Sequence, residues 1–154
     1  MKGLASGDEL ASPTLAAIDH HLAEAIADGY ERWGATGDLS LKALFSPDFY
    51  DNVSGQRGLA IFDVVGRWLD ESFADRRIDH HATMFDGDRV MVWYTQYGRH
   101  IGNGFPRMRG HVVSGAEVAW AQLHVFRVQE GKVVEHWAIR DDYAMLEQLT
   151  SSNR

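Results

Sequence analysis

Apolar and polar residues alternate through the last third of the chain, on both sides of a short turn. Side chains of a strand alternate between its two faces, and one face of the first predicted strand carries Trp120, Gln122, His124, Phe126 and Val128. A second alternating run follows the turn of residues 129–132, where Gly131 tolerates a positive φ angle. The pattern predicts a β-hairpin, followed by a short helix.

The second strand of this hairpin has two faces of mixed character. One face carries Val133, Glu135, Trp137, Ile139 and Asp141, and the other carries Val134, His136, Ala138, Arg140 and Asp142. A surface hairpin would fill its inward face with aliphatic residues, whereas here polar and aromatic residues are interleaved on one face. We therefore expect the hairpin to contact a polar group.

Apolar residues recur at helical spacing in the first half of the chain. Leu15, Ile18, Leu22, Ile26 and Trp33 predict an amphipathic helix of about five turns, which begins at Ser12 and Pro13 and ends at residues 34–37. A short helix capped by Asp38 and ended by Ser46 and Pro47 follows, and a third helix is predicted over residues 57–74.

Extended segments complete the predicted order of elements. Residues 49–53 form a short strand, residues 78–85 and 89–100 form a hairpin around the turn 86–88, and residues 101–115 form a loop rich in glycine and arginine. The strand 89–100 is apolar on both faces, so we expect it to be central and covered on both sides. Segregated helices and an antiparallel sheet indicate an α+β fold, in which the curved sheet wraps around the long N-terminal helix as a half-open cone.

Composition narrows the class of protein. The 154 residues suit a single domain, 1–154, in which residues 1–11 are unpatterned and expected to be flexible. The net charge of −7 argues against nucleic-acid binding, and the lack of cysteine excludes disulfides and thiolate chemistry. No apolar stretch is long enough for a signal peptide or a membrane span, so we expect a cytoplasmic protein.

Several residues are candidates for a ligand site on their own chemistry. Tyr94 and Trp120 could stack on a flat ligand. His100 stands where a strand enters the glycine-rich loop, either on the pocket rim or in solvent. The pairs at residues 20–21 and 80–81 lack metal-ligand spacing, since adjacent strand residues point to opposite faces, so no metal site is predicted.

The chain resembles a known family over about residues 15–149. The resemblance rests on Gly98-Arg99-His100-Ile101-Gly102 after the long strand, on Glu130-Gly131-Lys132-Val133-Val134-Glu135-His136-Trp137, and on Arg140-Asp141-Asp142 with Gln148-Leu149. These segments resemble the SnoaL-like polyketide cyclases, which share the cone-shaped α+β barrel of nuclear transport factor 2 and ketosteroid isomerase. The resemblance implies closure of a ring in an aromatic polyketide by intramolecular aldol condensation, without a cofactor.

The resemblance also implies site residues. Asp141 would be the acid/base, in an apolar surround supplied partly by Trp137; alternatively, Asp141 and Asp142 cap the last helix. His124 and Gln122 would line the pocket, unless His124 is a core histidine bonded to backbone. Asn52 would donate to a substrate carbonyl, or would stabilise a turn.

Other functions of this fold remain open. One is cofactor-independent hydroxylation of an anthracycline-type ring, which needs a separate reductase, and another is epoxide opening with His100 or His124 as acid. A non-catalytic binding domain is the third, and apolar residues exposed on the outer face of the sheet would favour it. By resemblance we expect a homodimer or homotetramer.

Overall fold

The computed structural model describes residues 18–151, which form an α+β fold as the sequence predicts. Its elements are α1 His20–Thr36, β1 Phe45–Asp51, β2 Gln56–Arg57, α2 Ala60–Ser72, β3 Phe73–Asp86, β4 Arg89–His100, β5 Glu117–Gln129, β6 Lys132–Arg140 and α3 Asp142–Ser151. Two short 3₁₀ helices, Leu39–Leu44 and Pro106–Met108, lie in the connections. No helix in this part of the chain is long and apolar enough to cross a membrane.

The long helix α1 is fixed at both ends by local chemistry. The Asp19 carboxylate accepts the Leu22 N–H over 2.8 Å at its start, and Gly37 ends it in the left-handed region at φ 79°. The helical start predicted at Ser12 and Pro13 lies outside the described residues.

The connection after α1 differs in part from the prediction. Asp38 caps a 3₁₀ helix, because its carboxylate accepts the Ser40 N–H over 2.8 Å. That helix does not end at Ser46 and Pro47, which belong to β1 instead. The strand β1 is therefore longer than predicted. The third helix is shorter than predicted, since residues 56–57 pair with β1 as β2.

The six strands form one curved sheet in the order β2-β1-β6-β5-β4-β3. All neighbours are antiparallel except β1 and β6, which run parallel. Parallel pairing joins β1, near the start of the chain, to the last strand. It is this contact that brings Asp51 beside His136.

The inner face of the sheet packs on the helices and forms the core. Helix α1 lies against β3 and β4 and buries Ile26, Tyr30 and Trp33. The outer face is more open than predicted. Strand β4 is paired on both edges, but Trp93 on its outer side is 47% exposed, so the expectation that both faces of β4 are covered is wrong in this chain.

An extra residue in β6 determines which side chains point inward. Arg127 pairs with Glu135 while the next residue of β5, Val128, pairs with Val133, so Val134 is left as a bulge. Val133 and His136 are consequently both buried, although three positions apart. Beyond the bulge, alternation continues and leaves Ile139 on the outer face, 75% exposed.

The loop of residues 101–116 is packed tightly against α2. A Cβ at Gly102 would lie 2.2 Å from the Glu71 carbonyl oxygen, and one at Gly104 would lie 2.7 Å from the Trp68 carbonyl oxygen. Both contacts are closer than any side chain allows, so these two positions require glycine. The first part of the loop is therefore part of the packed structure.

Candidate active site

The cone contains two adjacent spaces. An inner cavity of about 50 Å³ lies deep under the sheet, and an outer cleft of about 620 Å³ opens between α2 and the turn after β1. The two spaces share the walls Tyr30, Trp33, Val65, Phe105, Arg107 and Arg140. The outer cleft has the size of a site for a drug-sized ligand, and the inner cavity admits only a small group.

A chain of buried polar side chains runs from the outer cleft to the inner cavity. Asp51 Oδ1 lies 2.8 Å from His136 Nδ1, and His136 Nε2 lies 2.8 Å from His124 Nδ1. His124 Nε2 then lies 3.0 Å from the Tyr94 hydroxyl and 2.9 Å from Gln122 Oε1. Asp51 and His136 line the outer cleft, whereas His124, Tyr94 and Gln122 line the inner cavity.

The direction of each hydrogen bond follows from the Asp51 carboxylate, which can only accept. His136 donates from Nδ1 to Asp51, so a neutral His136 has its lone pair on Nε2 and accepts from His124 Nδ1. The lone pair of His124 is then on Nε2. The Tyr94 hydroxyl lies 3.0 Å from this nitrogen and 3.3 Å from Gln122 Oε1, so it can donate its single proton to either. Gln122 Oε1 only accepts, so its 2.9 Å contact with Nε2 becomes a hydrogen bond when Nε2 gains a proton. A proton added at His124 Nε2 could move through both rings and leave His136 as an imidazolium beside Asp51.

The protonation states suit this arrangement. Burial holds the pKa of the His124 imidazole well below 6.5, and burial also lowers the pKa of His136, although Asp51 opposes that change. Burial alone would raise the pKa of Asp51, but hydrogen bonds from His136 and Ser54 outweigh it, so the pKa falls below 3.8. Both histidines are therefore neutral near pH 7, and Asp51 is charged.

Aromatic packing fixes the two imidazoles. The His124 ring lies between the rings of Tyr94 and His136 and is nearly parallel to both, with centroid distances of 5.2 and 5.1 Å and interplanar angles of 12° and 9°, so its nitrogens meet their partners edge to edge. Phe126 stacks on His136 at 5.0 Å. Neither imidazole can rotate without displacing a neighbour. The proton relay formed by Asp51, His136 and His124 is therefore preorganised.

Tyr30 supplies a hydroxyl donor to both spaces. Its ring lies 4.7 Å from the His124 ring and 5.6 Å from the His136 ring, centroid to centroid. Burial raises its pKa, so the phenol stays protonated. The side chain lines both the cavity and the cleft, so its hydroxyl can donate to a group bound in either space.

Two arginines lie on the wall shared by both spaces. Arg107, in the loop 101–116, and Arg140, at the end of β6, both contact Asp142 Oδ2, and the Arg140 contact is 3.6 Å long. Burial is the main cause of the low pKa of His124 and of His136, and the positive charge of Arg140 lowers both pKa values further. The field of Arg140 therefore reaches the relay.

The structure brings four of the predicted site residues together. Tyr94, Trp120, Gln122 and His124 all line the inner cavity, as expected for side chains that share the inner face of β4 and β5. Gln122 also donates to Gln96 over 2.9 Å, and Gln96 donates to the Gly34 carbonyl, so the amides are held in place.

The pocket position predicted for Asp141 is corrected. Its carboxylate accepts the Ala144 N–H over 3.0 Å and caps α3, and the side chain is exposed. Trp137 is also displaced from the predicted site. It lies on the outer face of β6, where the Arg89 guanidinium stands 5.4 Å from its ring centroid. The bulge explains both differences, because it brings the His136 face inward.

Asn52 and His100 serve the framework in this structure. Asn52 is exposed and donates to Glu135 Oε1 and to the His136 carbonyl, both over 3.1 Å, which ties the turn after β1 to β6. His100 is neither a rim residue nor solvent-exposed. It is fully buried, and its nitrogens contact Ser114 Oγ and Asn103 Oδ1 of the loop at 3.1 and 2.9 Å.

Sequence reasoning did not place Asp51, Tyr30, Arg140 or His136 in the site. Tyr30 was hidden in the apolar stripe of α1, where an aromatic residue predicts core packing. Asp51 pairs with a residue 85 positions away, across the parallel contact of β1 with β6. The available signal was Asp51 itself, an acidic residue at the end of a strand whose two phenylalanines are buried.

Comparison with known proteins supports the resemblance seen in the sequence. The profile of the SnoaL-like polyketide cyclases matches residues 22–149. Among curated proteins, none matches this sequence.

Solved structures share the fold. TsrD from Streptomyces laurentii superposes with a TM-score of 0.72 at 20% identity, covering 86% of this chain and 97% of TsrD. AclR from Streptomyces galilaeus, for which a hydroxylase function has been suggested, has a TM-score of 0.64 at 26% identity, with 85% and 80% coverage. IdmH from Streptomyces antibioticus, a suggested polyketide cyclase, has a TM-score of 0.64 at 24% identity, with 85% and 99% coverage.

The profile match covers most of the described residues, including every side chain of the buried relay. The cone-shaped sheet around α1 agrees with the solved structures over more than four fifths of the chain. The chain belongs to the SnoaL-like polyketide cyclase family.

Proposed function

We propose that the protein closes a ring in an aromatic polyketide by acid/base catalysis, through an intramolecular aldol reaction. His124 is the general base, His136 accepts the proton behind it, and Asp51 stabilises the resulting imidazolium. The observation that carries the proposal is the continuous buried chain from Asp51 to His124, with both links 2.8 Å long. Such a chain gives a neutral base access to a charge-stabilised proton acceptor.

The two spaces suit a flat substrate with a small reactive arm. The outer cleft, about 620 Å³, is lined by Trp33, Phe49, Phe62 and Trp68, which offer aromatic surfaces to a polycyclic ring system. The inner cavity holds only the group that reacts, next to His124. Because Gln122 and His124 are buried, the polar contacts made there are stronger than they would be in water.

The first step removes a proton from a carbon between two carbonyl groups. The C–H bond breaks, and its proton bonds to His124 Nε2. The proton on His124 Nδ1 moves to His136 Nε2, so the positive charge rests 2.8 Å from Asp51. Gln122 Oε1, 2.9 Å from His124 Nε2, then accepts the new N–H and keeps the ring in place.

The second step forms the ring. The enolate carbon bonds to the carbon of a ketone in the same molecule, and the electron pair of that carbonyl moves to its oxygen. The Tyr30 hydroxyl, whose side chain lines both spaces, donates to the developing oxyanion. The proton returns through His136 and His124 to the oxygen, and substrate and product have the same formula.

Product mass tests the reaction class. Purified protein is incubated with polycyclic aromatic polyketides that carry a ketone side arm, both as free acids and as esters, with and without a quinone reductase and NADPH. An unchanged mass with a shifted retention time is the expected result. No product from any member of the panel, or a product that forms equally without protein, would overturn the proposal.

Variants locate the base. His124→Gln removes the lone pair at Nε2, and a general base contributes about 10²–10⁴-fold to the rate, so we expect kcat to fall by roughly that factor. His81→Gln is the matched control, because His81 is exposed and contacts Thr95 and Trp93 on the outer side of the sheet. Equal rates for both variants would remove His124 from the mechanism.

Cofactor-independent hydroxylation with a reductase partner is the second candidate. The similarity to AclR, at 26% identity, favours it. In the same assay, this reaction would add one oxygen atom to the product and would require the reductase and NADPH. The same residues would then deprotonate the substrate before it reacts with oxygen.

The expected homodimer or homotetramer stays a prediction. Trp93 and Ile139 expose large apolar surface on the outer face of the sheet, at 47% and 75%. We expect copies of the chain to meet there, because association would remove this surface from water.

A further inference from the structure

We infer that Arg107 and Arg140 bind a carboxylate of the substrate, so that the protein acts on a polyketide acid. This inference rests on the proposed function, since it names the chemical class of the molecule that fills the same cleft. The site is the wall shared by the inner cavity and the outer cleft, between the loop 101–116 and the end of β6.

The local charge is positive although the whole chain carries −7. Two guanidinium groups share the single carboxylate of Asp142, and both contact the same oxygen, Oδ2. Burial lowers the pKa of Arg107, and the positive charge of the nearby Arg140 lowers it further. The pair therefore repels itself and is stabilised by any further negative charge placed between its members.

The hydrogen-bonding capacity of Arg140 is largely unused. A guanidinium has five N–H donors in a fixed fork. The contact with Asp142 is 3.6 Å long, beyond ordinary hydrogen-bond distance, and no other acceptor contacts Arg140 within residues 18–151. The side chain is 22% exposed, and it lines both spaces. A carboxylate can accept two parallel N–H bonds from such a fork, which a neutral carbonyl cannot match.

The register of the sheet sets the distance from this site to the base. Arg140 pairs with Gln122, and Ala138 pairs with His124, so Arg140 stands two residues along the strand from the level of His124. Two residues correspond to about 7 Å. A substrate whose carboxylate is bound by Arg140 would thus present to His124 a C–H group that lies about 7 Å from that carboxylate.

Asp142 acts as the internal counterion that the substrate carboxylate replaces. It lies at the start of α3, is 23% exposed, and lines the inner cavity. Removing its charge while keeping its shape should leave both arginines free for an external anion. Asp142→Asn is therefore expected to tighten carboxylate binding, a direction that general damage to the site would not produce.

Matched aromatic probes test the inference without turnover. Anthraquinone-2-carboxylate, anthraquinone-2-carboxamide and 2-hydroxyanthraquinone are titrated into the protein at pH 7, and binding is followed by quenching of Trp33, Trp68 and Trp120, which line the site. A charge-assisted hydrogen bond predicts that the carboxylate binds about 10- to 100-fold more tightly than the carboxamide. Arg140→Gln should abolish this preference, so that the carboxylate and the carboxamide bind with the same Kd.

The control is Arg109→Gln, in the same loop. Arg109 is exposed and does not line either space, so its loss changes the net charge equally but should preserve the preference. Equal affinity for carboxylate and carboxamide, or a preference that survives Arg140→Gln, would overturn the inference. Tighter binding of the phenol than of the carboxylate would assign the site to a phenolate and overturn it too. If no probe binds, the proposed function fails together with the inference, whereas equal binding leaves the proposed function intact.

Discussion

Replacing Asp51 with asparagine tests the relay at its anionic end. The Asp51 carboxylate is buried and accepts hydrogen bonds from His136 Nδ1 at 2.8 Å, from Ser54 Oγ at 2.6 Å, and from the backbone of Val53 and Ser54 at 3.2 Å. Asparagine keeps one accepting oxygen but presents an NH₂ group in place of the other. The loss of a charge-assisted hydrogen bond predicts that the free energy of unfolding falls by about 1.5–3 kcal/mol at pH 7. The corresponding fall in Tm is about 3–12 °C.

The effect of this substitution depends on pH in a defined direction. The folded pKa of Asp51 lies below its unfolded value, so its stabilisation is full above about pH 4 and is lost as pH falls through the folded pKa. The folded pKa of His136 is also lowered, chiefly by burial, while Asp51 opposes that change, so His136 destabilises the fold as pH falls below about 6.5. Without the Asp51 carboxylate, protonation of His136 lowers the free energy of unfolding by more, because no adjacent negative charge opposes the effect of burial. The Tm difference between wild type and Asp51→Asn should widen from about pH 8 to about pH 5 and narrow again below about pH 4.

Thermal unfolding followed by circular dichroism across this pH range is the measurement. Asp48→Asn is the matched control, since Asp48 lies three residues earlier on β1 but is exposed. Its effect should stay within about 0.5 kcal/mol. An Asp51→Asn variant that follows the control at every pH would refute the view that Asp51 stabilises His136.

Three further predictions test the framework around the site. Gly98→Ala would place a Cβ 2.8 Å from Phe73 Cβ, so unfolding should become easier by about 1–3 kcal/mol in denaturant titrations, and an unchanged midpoint would contradict the packing. Asn52→Ala should cost about 0.5–1.5 kcal/mol of stability through its two hydrogen bonds to β6, while the Kd of aromatic probes stays constant; weakened probe binding would restore Asn52 to the pocket. Ile139→Asp should lower the mass of the assembly in sedimentation velocity, and an unaltered mass would place the contact between copies elsewhere.

The fold followed from periodicity and from turn residues. Strand β4 begins and ends where its alternating pattern does, and the hairpin of β5 and β6 forms around Glu130 and Gly131, both at positive φ. These features are local, so a sequence can specify them. The extent of β1 differs from the prediction because pairing with neighbouring strands decides where a strand begins and ends.

The site was predictable only where it depended on β4 and β5. The buried face from Trp120 to Val128 was assigned correctly because that strand is regular up to the bulge. In β6, the extra residue Val134 shifts the alternation of faces by one position. Alternation counted from Val133 therefore places Asp141 on the inner face and His136 on the outer face, contrary to the structure. Nothing local in the sequence signals that bulge. The partnership of Asp51 with His136 depends on a parallel contact that only the complete fold creates.

The tight seating of Gly102 and Gly104 on α2 has a consequence for engineering the range of substrates. Because both glycines touch backbone carbonyls of α2, and His100 anchors the same loop, randomising this rim would mainly yield unfolded variants. The opposite wall is more permissive: Ile61, Val65 and Trp68 present replaceable side chains to the outer cleft from one face of a helix. A library directed at these three positions should alter which ring systems enter while the relay stays in place. In this fold, the adaptable part of the pocket is the helix, and the loop is the fixed part.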